Sequence, residues 1–262
     1  MIVAEQLNFA HKGSKINILE NLSLRIADGV RAVLLGPNGC GKSTLFMCLA
    51  GLWPISAGQI SMNGQKVTAL NYRQRAKLVA VVPQTHVPQF SYTVFEAVLM
   101  GRAPHVPLHS APSGEDREIA HEALTKVRLG HLANRAYTQI SGGERQMVLV
   151  ARALAQRSPI ILLDEPTSHL DFKNQYEVLD LIGQVAAGGS LTILMTLHDP
   201  NQAHFFADHI LMLENKTISC EGCPDQVLTE ERLQSLYQAP VGVREQDGIK
   251  MIYSKKQKAV TE

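Results

Sequence analysis

Apolar and polar positions alternate loosely at the start of the chain, in IVAEQLNFA, ILENLSLRIA and RAVLLG, with Gly and Asp turn signals between them. The half-alternation predicts an antiparallel layer leading into a buried strand. After Lys42 the period lengthens: LFMCLAGL has helical spacing, while GQISMNGQKV reads as a strand, a turn at Asn63 and Gly64, and a returning strand. LVAVVPQ is a further buried strand, ended by Pro83. From about Thr93 to Gln156 apolar residues recur every three and four positions, in EDREIAHEALTKVRLGHL and GERQMVLVARALAQR, which predicts a helical insert. Beyond it IILLD, LTILMTLH and HILMLEN alternate with the helical stretches FKNQYEVLDLIGQVAA and PNQAHFFA, the rhythm of a parallel α/β sheet. From about Pro240 the pattern is mixed and closes in a charged tail, KKQKAVTE. No repeat or linker divides the chain. The expected organisation is one domain over residues 1–240, with the helical insert at about 90–156, followed by an extension and tail over 241–262.

Composition narrows the partners more than the fold. The 262 residues carry 25 Lys and Arg against 24 Asp and Glu, a formal charge of +1, so no basic stripe is available for nucleic acid and none is expected as a partner. Four cysteines are too few for a disulfide framework in a chain of this size, which implies a reducing compartment. The N-terminus lacks a basic segment followed by an apolar core, so no secretory leader is expected. No apolar run reaches the roughly 18 residues that cross a bilayer.

Residues 36–44 read GPNGCGKST, the pattern GxxxxGK[ST] between a predicted strand and a predicted helix. Gly36, Gly39 and Gly41 let the backbone turn so that successive N–H groups, with Pro37, Asn38 and Cys40 between them, face phosphate oxygens, while the helix N-terminus adds its positive dipole end. Lys42 then reaches the β- and γ-phosphates, and Ser43, next to Thr44, offers a hydroxyl to Mg²⁺. A glycine-rich turn that only starts a helix is the plain alternative. IILLDEP (160–166) ends a buried strand on two adjacent acids, at the sheet edge where α/β folds hold ligands. Asp164 is expected to assist Mg²⁺, and Glu165 to polarise an attacking water. An exposed turn before Pro166 is the ordinary reading of the same pair.

The order of motifs resembles the ATP-binding cassette (ABC) family. After the phosphate loop comes Gln84 at a strand end, similar to the family's Q-loop. ISGGE (140–144) resembles its LSGGQ signature, SHLD (168–171) its D-loop, and His198 after LTILMTL its switch histidine. The resemblance implies a P-loop NTPase fold of α/β class, with a RecA-like parallel core, an N-terminal antiparallel β layer and a helical insert. It implies ATP and Mg²⁺ as ligands, with Glu165, His198 and Gln84 catalytic and with Ser43, Gln84 and Asp164 near the metal. It also implies that Ser141, Gly142 and Gly143 face the ATP held by a second subunit, so that the working unit is a head-to-tail pair across which Asp171 reaches.

Each match has a local alternative. Ser141 with Glu144 is a capping box, Gln84 a polar strand end, and His198 a surface residue after a strand. In the signature Glu144 stands where the family usually has Gln, and Ile140 where it has Leu. His11 occupies the place of the usual adenine-stacking Tyr, with Phe9 on the same strand face, and stacks more weakly than a larger ring. Cassette length, no fused spans and no coiled-coil arms point to an importer-type subunit. Such a subunit works with an integral membrane permease and, indirectly, a substrate-binding protein, at the cytoplasmic face of the cell membrane. TVFEAVLMGRAPH, SHLDFKNQ and HDPNQA resemble the branch that imports metal chelates: iron siderophores, haem or cobalamin. Residues 84–102 would line the groove for a permease coupling helix. The rival readings are an ATP-gated switch without transport and, less favoured, a small-molecule kinase.

Other candidates read as structural. Cys220 and Cys223, in SCEGCPD, lie in an expected hairpin turn and lack the second pair that zinc requires. His105 and His109 fall in a proline-flanked loop. Cys40 is expected to make the phosphate loop sensitive to thiol reagents.

Overall fold

The computed structural model describes residues 1–14, 16–84, 91–246 and 249–255. The chain opens with β1 (Ile2–Phe9) and β2 (Leu19–Ile26), each mixing buried apolar with exposed polar residues, and continues into β3 (Arg31–Leu35), buried from Ala32 onward. Helix α1 (Lys42–Leu49) follows, then β4 (Ala57–Met62) and the two-residue β5 (Gln65–Lys66). Asn63 and Gly64 join these two strands at φ 48° and 75°, the positive pair that a tight hairpin turn needs. Strands β1, β2, β4 and β5 form the antiparallel layer that the opening pattern predicts, in the order β2-β1-β4-β5.

Next come α2 (Tyr72–Leu78), β6 (Val79–Val82) and the insert helices α3 (Val94–Leu99), α4 (Gly114–Lys126) and α5 (Gly142–Ala155). All four of these helices start on a capping box: Asn71 with Gln74, Thr93 with Glu96, Ser113 with Asp116, and Ser141 with Glu144. Strand β7 (Ile160–Leu163), α6 (Phe172–Ala186), β8 (Thr192–Thr196), α7 (Pro200–Phe206) and β9 (His209–Glu214) complete the parallel rhythm. Strand β10 (Thr217–Gly222) returns antiparallel to β9, and α8 (Pro224–Val227) and α9 (Glu230–Tyr237) follow. Sheet order is β10-β9-β3-β8-β7-β6.

That sheet divides the core by strand parity. Val33, Leu35, Ile161, Leu163, Ile193 and Met195 face the helices of the insert, while Ala32, Leu34, Ile160, Leu162 and Leu194 face α1 and the antiparallel layer. Each fully buried Leu or Ile contributes about 1.5–3 kcal/mol, so a charge at Leu162 would break the layer between the sheet and α1. The insert is fastened at its base. Arg102, only 6% exposed, donates to the Asp116 carboxylate at 2.9 Å and to the Ala155 carbonyl at 2.8 Å, where α5 ends. Gly101 allows that approach, since a Cβ there would sit 2.2 Å from the Arg152 carbonyl oxygen.

Two stretches differ from expectation. The mixed pattern after Pro240 is an antiparallel hairpin, β11 (Val241–Gln246) with β12 (Ile249–Ser254), docked by paired hydrogen bonds between the Asn201 amide and the Ile252 backbone. SCEGCPD is no hairpin turn: Cys220 lies within β10, and Cys223 is the N-cap of α8. Residues 256–262 of the tail and 85–90 of the expected coupling groove lie outside the described residues.

Candidate active site

Strand β3 delivers the phosphate loop at the carboxyl end of the parallel sheet. Gly41, the N-cap of α1, takes φ 108°, a backbone state that only glycine adopts without strain, and no side chain caps the helix above it. The first turn of α1 carries no acid, so its amides and dipole are left open to an anion. Lys42 is 5% exposed, and its Nζ donates to the carbonyls of Gly36 at 2.9 Å and Pro37 at 3.0 Å. A cleft of about 230 Å³ opens over this turn, lined by Ile18, Asn38, Gly39, Lys42, Ser43, Thr44 and, from across the sheet, Glu165. Cys40 faces inward more than expected. Its burial raises the thiol pKa, and a Cβ on Gly36 would lie 2.7 Å from its Sγ, so the predicted thiol sensitivity is weakened.

The acids leave β7 beside this cleft. Asp164 is buried, and Glu165 has φ 48°, a left-handed backbone that costs a non-glycine residue about 1 kcal/mol or more. Its carboxylate joins two side chains delivered by neighbouring strands. Gln84, two residues beyond β6, donates its amide to Glu165 Oε2, and His198, two residues beyond β8, places Nε2 at 2.7 Å from Oε1. Residues 84, 165 and 198, separated by 81 and 33 positions in sequence, thus converge on one carboxylate. Behind His198, its carbonyl accepts from the Tyr237 hydroxyl at 3.5 Å, and burial raises the Tyr237 pKa, which keeps it a neutral donor.

The signature segment stands apart at the N-terminus of α5. Ser141 Oγ accepts from the Glu144 N–H at 3.2 Å, and the Ser141 N–H donates to Glu144 Oε2 at 2.7 Å. The Ser141 amide is thus held by its own cap, the local alternative for this segment, and this hydrogen bonding keeps the Glu144 pKa below the usual carboxylate range. Asp171 is likewise a cap, accepting from the Asn174 N–H at 2.8 Å at the start of α6. His11 is exposed just past β1. Its ring lies edge-on to Phe9 at 5.2 Å and to Trp53 at 5.1 Å, while Phe9 and Trp53 stack at 5.5 Å and 14°.

The family description "ABC transporter" matches residues 19–168, a span that contains the phosphate loop, the signature and the acid pair. The chain belongs to the ABC transporter family. Among its relatives, the petrobactin import ATP-binding protein FpuC of Bacillus anthracis is 36% identical over 243 residues, 93% of this chain and 89% of that one. An inward-facing structure of a transporter described as metal-chelate type superposes with a TM-score of 0.84 at 32% identity, covering 98% of each chain. A dimeric ATP-binding cassette caught after hydrolysis with ADP and Pi gives a TM-score of 0.74 at 29% identity, over 86% of this chain and 99% of that one. This ABC subunit is an ATPase with the P-loop NTPase architecture.

Sequence reasoning had left three parts of this ABC ATPase unremarked. Thr196, the last residue of β8, lies between the two acids, and its signal was a hydroxyl closing the apolar run ILM. Trp53 builds the aromatic corner with Phe9, although 44 positions separate them. The capping boxes of α3 and α4 were legible as T-x-x-E and S-x-x-D. Among the described residues no cluster of three or more His, Cys, Asp or Glu could hold a metal ion. No helix among the described residues is long and apolar enough to cross a membrane.

Proposed function

We propose that this chain is the ATP-driven motor of an importer that takes up a metal chelate such as a siderophore, haem or cobalamin. In this reading, two such subunits pair head to tail beneath a separate integral membrane permease at the cytoplasmic face of the membrane, and a substrate-binding protein delivers the cargo. The observation that carries the enzymatic part is the convergence of Gln84 and His198 on Glu165 at the rim of the phosphate loop. Support for the cargo class comes from the relatives alone, named for petrobactin import and metal chelates.

The chain's own groups suffice for the protein side of hydrolysis. The triphosphate occupies residues 36–44, where the open α1 amides donate to it and the Lys42 ammonium exchanges the Gly36 and Pro37 carbonyls for the anion. His11, with Phe9 and Trp53 behind it, takes the adenine. Ser43 in the cleft and the buried Asp164 supply hard oxygen donors of the kind Mg²⁺ takes, with Gln84 beside them. Held there, Mg²⁺ would supply positive charge against the charge that builds on the phosphates. Glu165 accepts the proton of the attacking water while the bond from γ-phosphorus to the ADP oxygen breaks. His198 and Gln84 exchange the carboxylate for the γ-phosphate and the water. From the facing subunit, Ser141, Gly142 and Gly143 close over the same phosphate, and Asp171 reaches across the pair.

Glu165→Gln tests this directly. Nucleotide binding persists and turnover falls by at least about 10²-fold, the usual scale for a general base. Unchanged hydrolysis removes Glu165 from that role. Co-purification with a polytopic membrane protein tests the importer reading, and its absence from a membrane complex favours a soluble switch.

A further inference from the structure

Thr196 is completely buried, yet its side chain is polar and sits where three motifs meet. In the sheet register it pairs with Leu34, two residues before the phosphate loop, and it lies two residues before His198. Its Oγ1 donates to Asp164 Oδ1 at 2.9 Å and accepts from the Glu165 N–H at 2.7 Å. One hydroxyl therefore orients the carboxylate of the first acid and anchors the backbone of the second, whose left-handed φ of 48° needs an external restraint.

We propose that Thr196 is the positioning residue of the acid pair: its hydroxyl couples the orientation of Asp164 to the placement of Glu165, so that metal binding and water activation are set by one side chain. The inference rests on the roles given above to Asp164 and Glu165 and goes beyond them. Removing the hydroxyl leaves Asp164 Oδ1 without this donor and the Glu165 N–H without this acceptor, beside a side chain that is itself fully buried. The left-handed turn can then relax, and the Glu165 carboxylate swings away from His198 and Gln84.

The test uses the full-length protein with T196V, which keeps the volume, T196S, which keeps the hydroxyl, and E165Q as reference. Hydrolysis is measured per folded molecule. The affinity for a fluorescent ATP analogue is measured with Mg²⁺ and with EDTA. T196V is expected to lower kcat by about 10- to 100-fold and to shrink the gain in affinity that Mg²⁺ confers, the usual scale for a residue that orients a metal ligand. Its affinity in EDTA stays within about twofold of the parent, and T196S restores both properties. A T196V enzyme with parental kcat and parental Mg²⁺ dependence, beside an inactive E165Q, overturns the inference while leaving the site reading intact. Equal losses in T196V and T196S also overturn it, because packing of the methyl and not the hydroxyl then matters. An active E165Q brings down the site reading and this inference with it. Should T196V fail to fold, T196C takes its place: a weak thiol donor should lower kcat well below that of T196S, and equality between the two overturns the proposal.

Discussion

Two helices of this chain begin at glycine-rich turns, and they treat their first amides in opposite ways. Helix α1 starts on Gly41 with no capping side chain and no acid in its first turn, so its N-terminus is left for an incoming anion to satisfy. Helix α5 starts on Ser141 with a complete capping box, its first turn carries the ionised Glu144, and the cavity of about 390 Å³ beside it includes Glu177 and Asp180. A free triphosphate has no reason to choose the second site over the first. The difference teaches that one chain holds one open helix end and one already satisfied by its own cap; under the proposed pairing, the second would serve only when ATP held by the facing subunit is brought to it.

The largest test strips the open site of its charge. Lys42→Ala should cost about 10²–10³ in kcat and weaken nucleotide binding by about 10- to 100-fold, as expected when a charge-assisted contact at the reacting phosphate is lost. An affinity close to the parent's would place the phosphates elsewhere. At the capped end, Ser141→Arg should lower kcat by about 10²-fold while ATP binding to the isolated chain stays within about twofold. Parallel loss of both would mean that α5 acts within its own subunit and would erase the contrast.

A smaller effect comes from the far end of α5. Arg102→Met leaves Asp116 without its guanidinium and Ala155 without this donor, and unfolding free energy should fall by about 3 kcal/mol, at the low end for a broken buried pair because Ser113 still solvates the carboxylate. Hydrogen bonds from Ser113, then from Arg102, depress the Asp116 pKa to about 2. A depressed acid stabilises the fold above its unfolded pKa of about 3.9 and loses that contribution as pH falls towards 2. Acid melts of the parent should therefore show a loss between about pH 4 and pH 2 that is reduced in Asp116→Asn. Smallest is Glu144→Gln, which keeps an acceptor for the cap and removes a negative charge beside the facing phosphate. Apparent KM for ATP should drop by about two- to fivefold, since a charge at a helix N-terminus is worth about 0.3–1 kcal/mol. An unchanged KM would show that Glu144 lies too far from the ligand to matter.

Legibility followed sequence separation. Residues 36–44, 160–166 and 140–144 carry their chemistry within short windows, and the structure forms each of those turns at the element boundary the pattern predicts. The Asn63-Gly64 turn and the parallel rhythm after Gln156 were equally plain, because both depend on local periodicity and backbone preference. The hairpin over β11 and β12 was missed despite alternation on both sides of Asp247-Gly248, since Val243 and Ile252 look unremarkable until α7 and α9 cover them. Trp53 was passed over because its partner Phe9 lies in another strand-turn unit.

What can be read in one line of letters is the set of parts: a loop shaped for phosphate, two acids on a strand end, a capped helix, a polar residue after each of two strands. Those depend on neighbours within about ten residues, where backbone preference and capping act. Which parts touch is settled by strand order. Only because β6, β7 and β8 lie side by side, held by alternate apolar faces buried in two separate layers, do Gln84 and His198 reach Glu165 and does the hydroxyl of Thr196 fall between the acids. Burial of those faces is a long-range free energy summed over the whole sheet, and no local window contains it.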